Sequence, residues 1–116
     1  MYCIKKSEAQ EYSGDGYSGR DYPMTDPDIN FATIKINCRS PKSGFQVNEE
    51  CKELLYIING SGNLYKSINN EVISFEQGDI IFIDKNEYYA FDGNFEAAVP
   101  CTPAWYQEQH KYTEGE

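Results

Sequence analysis

Histidine is nearly missing from this sequence: its 116 residues include one, His110, in a polar stretch close to the end. A site built on several imidazoles is therefore excluded. Leucine and alanine are also scarce, which weighs against a helical class. Basic residues are few, ten against nineteen acidic ones, and the net charge of −9 repels phosphate backbones and anionic lipid surfaces. Neither nucleic acid nor membrane is expected as a partner. No apolar run approaches the roughly 18 residues that a membrane-spanning helix needs. The opening Met1-Tyr2-Cys3-Ile4-Lys5-Lys6 has no apolar core of the kind that secretion signals carry, so a cytoplasmic protein with reduced thiols is expected. Its four cysteines, Cys3, Cys38, Cys51 and Cys101, are scattered without a C-x-x-C, and read as buried or incidental thiols. No internal repeat or low-complexity block is present.

What the sequence does have is aromatic and β-branched character. Ten Tyr, six Phe and one Trp, together with isoleucine-rich segments, favour an all-β domain, and the length suffices for one core without disulfide or metal support. Residues 1–30 are polar and punctuated by Ser13-Gly14, Asp15-Gly16, Ser18-Gly19, Pro23 and Pro27, the pattern of an extended arm with turns, with Cys3–Lys6 as a short edge strand. The first firm strand is Phe31–Asn37, where Ala32, Ile34 and Ile36 alternate with Phe31, Thr33 and Lys35. A second follows Gly44 and ends at Asn59-Gly60-Ser61-Gly62, read as a hairpin turn before Asn63–Ile68. Asn69-Asn70 is a turn that tolerates left-handed geometry, Val72–Phe75 a short strand, and Ile80–Ile83 a strand apolar enough to be covered on both faces. Tyr88–Phe91 and Phe95–Cys101 flank Asp92-Gly93-Asn94 as a further hairpin. Roughly eight short strands at regular spacing predict a sandwich or barrel over residues 31–105. Residues 106–116 form a tail with a short helical turn at Tyr106–Tyr112 and a frayed acidic end.

Within the central strand, Cys51, Glu53, Leu55 and Ile57 share one face, and Lys52, Leu54, Tyr56 and Ile58 the other. A carboxylate on an apolar face must be hydrogen-bonded, metal-bound or protonated, since an unpaired buried charge is costly.

This pattern resembles the cupin superfamily, small antiparallel jelly-roll barrels, over about residues 30–110. Gly44 opens the first cupin motif, Glu53 stands at its glutamate, and Leu54–Asn59 separates that glutamate from Gly60. Gly78-Asp79-Ile80-Ile81-Phe82-Ile83 matches the opening of the second motif, after which Asp84 stands for its proline, Asn86 for its glycine, Tyr89 for its histidine and Gly93 or Asn94 for its asparagine. The resemblance implies a metal held by three histidines and the glutamate, but the first two histidine positions fall on Gln46 and Asn48, or on Val47 and Glu49 in the other register. One carboxylate with neutral amides is a poor transition-metal site, so no metal or other cofactor is expected.

The expected fold is thus a single-domain cupin-like jelly roll with an N-terminal arm and a short C-terminal turn. The expected function is binding of a small polar ligand in the barrel by Gln46, Asn48, Cys51, Glu53, Tyr89 and Phe91. Whether the protein is an enzyme stays open. Glu53 is either a catalytic acid or base, as in a metal-free isomerase or lyase or a divergent metal cupin, or a structural carboxylate held by Tyr89. The barrel is either a cavity or a core filled by aromatics, the latter making the chain a structural or interaction module. Cys51, beside Glu53, reads as an inert thiol, and His110 as a surface or packing residue beyond the barrel. The apolar stripe of Leu54, Tyr56 and Ile58 and the tyrosine-rich arm suit a homodimer.

Overall fold

The computed structural model describes residues 1–113; the acidic end of the predicted tail lies outside the described residues. Among them nine strands form one curled antiparallel sheet: β1 (Gln10–Gly14), β2 (Tyr17–Tyr22), β3 (Asn30–Ile36), β4 (Gln46–Asn48), β5 (Lys52–Lys66), β6 (Val72–Glu76), β7 (Ile80–Ile83), β8 (Tyr89–Thr102) and β9 (His110–Tyr112). No helix among the described residues is long and apolar enough to cross a membrane.

Two long strands, β5 and β8, organise the barrel. They pair with each other from Lys52↔Thr102 to Lys66↔Tyr89, through a bulge between Ile57 and Asn59. One half of this ribbon joins β3, β2 and β1 beyond β8, and β7 beyond β5. The other half joins β4 and β9 beyond β8, and β6 beyond β5. The two hairpins expected at Asn59–Gly62 and Asp92–Asn94 are therefore absent. Those glycines serve close approach instead: a Cβ on Gly93, whose φ is +123°, would lie 2.5 Å from the Gly62 Cα, and one on Gly60 would strike the Asn94 carbonyl. The paired strands approach this closely because neither carries a side chain at the Gly62–Gly93 pair.

The N-terminal arm is likewise more regular than its composition suggests. Cys3–Lys6 is not a strand; a single 3₁₀ turn at Lys6–Glu8 leads into the β1–β2 hairpin, which Asp15-Gly16 closes with Gly16 at φ +85°. Tyr12 donates a hydrogen bond to the Thr33 carbonyl at 2.9 Å across the side-chain-free Gly19.

Side-chain alternation holds through the first half of β5. Leu55 and Ile57 are buried, while Leu54, Tyr56 and Ile58 face outward. On β7, Ile81 and Ile83 are buried, but Ile80 is 67% and Phe82 55% exposed, so this strand is covered on one face and not on both. The core joins Ile36, Leu55, Ile57, Leu64, Phe75, Phe91 and Phe95 and fills one end of the barrel. Asn69 and Asn70 take the left-handed conformation, at φ 56° and 53°.

Candidate functional site

The other end of the barrel encloses a cavity of about 490 Å³. Its apolar lining includes Leu55, Phe91 and Val99; its polar groups include Gln46 from β4, Glu53 from β5, Tyr89 from β8 and His110 from β9; Tyr12, Tyr17 and Asp21 of the N-terminal hairpin line it as well. The barrel is thus filled at one end and open at the other.

Glu53 projects into this space from the face it shares with Leu55 and Ile57. The Tyr89 hydroxyl donates to its Oε1 at 3.3 Å. Burial raises the Glu53 pKa, and the hydrogen bond from Tyr89 offsets only part of that rise. Tyr89 is held well above its ordinary value by burial and by the charge of Glu53, so it is a donor throughout the neutral range.

His110 is the largest departure from the sequence expectation. The tail does form a 3₁₀ turn, at Gln107–Gln109, but it then becomes β9 and pairs with β4, placing Asn48 opposite His110 and Gln46 opposite Tyr112. The imidazole therefore enters the cavity from the strand beside the one where the cupin motif places its histidines. Its ring lies 5.7 Å from that of Trp105 and 5.0 Å from that of Tyr112. Nδ1 is 2.6 Å from Asn48 Oδ1 and Nε2 is 3.1 Å from Gln46 Oε1. Burial lowers its pKa.

Gln46, Glu53, Tyr89 and Phe91 all reach the cavity, whereas Asn48 and Cys51 do not. Asn48 is 1% exposed, and its Oδ1 also accepts from Trp105 Nε1 at 3.0 Å and Gln109 Nε2 at 3.1 Å. Cys51 is buried with its thiol toward the Pro103 carbonyl at 3.3 Å, and burial raises its pKa, consistent with an inert group. Asn48 keeps the Gln46 face of β4, toward His110, but Trp105 and Gln109 cover it; Cys51 lies in the non-strand segment before β5, outside that strand's alternation. The missed contributors, His110, Trp105, Asp21 and the hairpin tyrosines, sit on segments too short or too polar to show a period.

No family model matches the sequence, and no curated protein matches it. Solved structures do. A Streptomyces protein, PAC13, solved with uridine, superposes with a TM-score of 0.86 at 18% identity, over 97% of this chain and 90% of that one; it is described as a unique nucleoside dehydratase. The polyketide cyclase RemF from Streptomyces resistomycificus gives 0.76 at 11% identity over 99% and 89%. An RmlC-like cupin from Shewanella frigidimarina gives 0.69 at 10% identity over 86% and 88%. The fold is that of the cupins.

Against the cupin metal position, the donor set does not fit a transition ion. At the two first-motif positions stand amides whose oxygens already face hydrogen-bond partners: Asn48 Oδ1 meets three, and Gln46 Oε1 meets His110. At the third, Tyr89 spends its proton on the remaining carboxylate. Both nitrogens of the one imidazole are likewise engaged. Neutral amides and a protonated phenol are weak ligands beside imidazole and carboxylate. The hydrogen bonds that fill the position give this barrel a polar wall instead.

Proposed function

We propose that this cupin binds a small, uncharged, polar molecule of nucleoside type in its barrel and moves protons on it with Glu53 and His110. The observation that carries this reading is a carboxyl with a raised pKa and an imidazole with a lowered one opening onto the same cavity. Such environments keep the carboxyl protonated to higher pH and the imidazole neutral to lower pH, so that an acid and a free base coexist over a wider pH interval. The volume falls within the roughly 300–1,000 Å³ of small-molecule sites. Uridine in PAC13 and the dehydratase activity ascribed to it favour a lyase-type reaction. In such a step the base takes a proton from carbon, the C–H electron pair becomes a double bond, and the leaving hydroxyl departs as water with a proton from the acid.

Charge narrows the ligand further. The cavity is lined by Asp21 and Glu53 and by no lysine or arginine, so a phosphate would be repelled rather than held. In calorimetric titrations uridine is expected to bind, and uridine monophosphate at least tenfold more weakly. Equal or tighter binding of the monophosphate, or no binding by any nucleoside, would overturn the reading.

The partner proposed for the outer face is a second copy of the chain. Leu54 pairs with Phe82 and Tyr56 with Ile80 across β5 and β7, and β7 has no neighbour on its other edge among the described residues. A twofold axis along that edge would pair two β7 strands antiparallel and cover the stripe. Light scattering should then give a dimer for the wild type and a monomer for Phe82→Glu; a monomeric wild type removes the idea.

A further inference from the structure

We infer that Asn48 fixes the tautomer of His110, so that Nε2, on the cavity side, is the atom that takes and gives the proton. This rests on the reading of the cavity as a proton-transfer site and assigns a positioning residue within it.

The inference follows from which groups can only donate. An indole N–H has no acceptor capacity, so the Asn48 atom 3.0 Å from Trp105 Nε1 must be the amide oxygen. Gln109 points the same way. Its Oε1 accepts from the backbone N–H groups of Glu50 and Cys51 at 3.1 and 3.3 Å, which leaves its NH₂ to face Asn48. The Asn48 amide is thus oriented by two independent donors and cannot be reversed without stranding both. The atom 2.6 Å from His110 Nδ1 is therefore an acceptor, and Nδ1 must carry a hydrogen. In the neutral ring the lone pair then lies on Nε2.

Gln46 completes the arrangement. Its Nε2 donates to the Ser40 carbonyl at 3.3 Å, which turns its Oε1 toward His110 Nε2 at 3.1 Å. That oxygen welcomes a proton on Nε2 and opposes a lone pair there. A protonated ring satisfies every contact; a neutral ring leaves Nε2 seeking a donor, which Gln46 by turning, or a ligand hydroxyl or C–H, would supply. The titratable groups around this ring are Tyr112 on its own strand, Glu53 and Tyr89 across the cavity, and Tyr12, Tyr17 and Asp21 on the hairpin wall. The Nδ2 of Asn48 is the one buried side-chain N or O atom without a hydrogen-bond partner among the described residues.

A single histidine makes the test direct. Two-bond ¹H–¹⁵N correlation spectra of tag-free, ¹⁵N-labelled protein should show, above the His110 titration, Nδ1 as the protonated nitrogen and Nε2 as the bare one. In the wild type, a neutral ring protonated at Nε2 overturns the inference. Asn48→Asp keeps an acceptor at Nδ1 and adds charge, so the tautomer should persist while the His110 midpoint rises by about one to three pH units. Asn48→Leu removes the acceptor and should shift the ring toward the Nε2–H form; an unchanged tautomer in that variant, once shown folded by its amide spectrum, also counts against it. Should Asn48→Leu fail to fold, Trp105→Phe removes one orienting donor and should partly mix the tautomers. Uridine titrations of the same sample separate the two claims. Binding with an Nε2–H ring defeats only the tautomer assignment, and an Nδ1–H ring without nucleoside binding defeats only the ligand reading.

Discussion

Glu53→Gln is expected to raise the melting temperature at pH 7 while lowering proton-transfer turnover by about 10²–10⁴-fold. The two effects share one cause. Glu53 sits on an apolar face, and its folded pKa lies above the ordinary 4.5 because burial disfavours the carboxylate. Below 4.5 the folded and unfolded forms are both protonated and the group is neutral toward stability. As pH rises through and beyond 4.5, the unfolded chain releases its proton before the folded one, so stability falls until the folded pKa is passed and then levels off. Glutamine removes that loss and keeps an acceptor for the Tyr89 hydroxyl. His110 acts in the opposite sense. Its folded pKa lies below 6.5, so its contribution is complete above 6.5 and is lost as pH falls through the folded value. Wild-type melting temperatures plotted against pH should therefore show two opposed trends, and Glu53→Gln should lose the part of the fall above pH 4.5 that Glu53 contributes while keeping the histidine's decline on acidification. Turnover is read as loss of water from, or solvent deuterium uptake into, a bound nucleoside-type ligand. An unaltered melting curve, or full turnover in the variant, would mean that Glu53 is neither a buried charge nor the acid.

Glu53 and Tyr89 were legible in the sequence because motif spacing survives the loss of its histidines, and because a carboxylate among Leu55 and Ile57 demands a donor. The strands β3 and β7 were legible from composition and alternation alone. The long strands were not. Glycine in Asn59-Gly60-Ser61-Gly62 and in Asp92-Gly93-Asn94 has the composition of a turn, yet it is needed here because two bent strands touch where a Cβ would collide. Only tertiary contact distinguishes the two uses of glycine. Nor could Asn48 and Cys51 be placed: alternation puts Asn48 on the Gln46 face but does not reveal the Trp105 and Gln109 side chains that cover it, and Cys51 lies in an interruption where no strand period applies. His110 belongs to a three-residue strand whose existence depends on pairing with β4, a contact across more than half the chain that no local pattern encodes. The polar N-terminal arm hid its hairpin for a related reason. Tyr12, Tyr17 and Asp21 face a cavity, and a cavity wall does not need the hydrophobic period that a packed face does.

Phe95→Ala is expected to cost about 3–5 kcal/mol, the range for removing a buried phenyl ring from a packed core. Phe95 is 1% exposed and stands between Ile36 of β3 and Gly60 of β5, where the barrel bends. Its ring meets Phe75 edge-on at 4.8 Å and Phe91 at 5.6 Å, and Phe91 in turn meets Tyr89 at 5.2 Å. The aromatic series thus runs from the filled end of the barrel to the hydroxyl that holds Glu53. For a domain whose total stability is about 5–15 kcal/mol, such a loss is a large fraction, visible as a fall of roughly 10–30 °C in melting temperature. A second core variant separates support of the fold from support of the site. Phe75 meets Phe95 edge-on but makes no ring contact with Phe91, so Phe75→Ala should destabilise by a similar amount and leave nucleoside affinity close to wild type well below its melting point. Phe95→Ala, compared at the same distance below its own melting point, should bind more weakly because Phe91 and Tyr89 lose their backing. The double variant should cost less than the sum, since the two rings share one contact. Equal affinity in both single variants would mean that Tyr89 is held by β8 and its bond to Glu53 alone, and that the aromatic series carries stability without positioning the site.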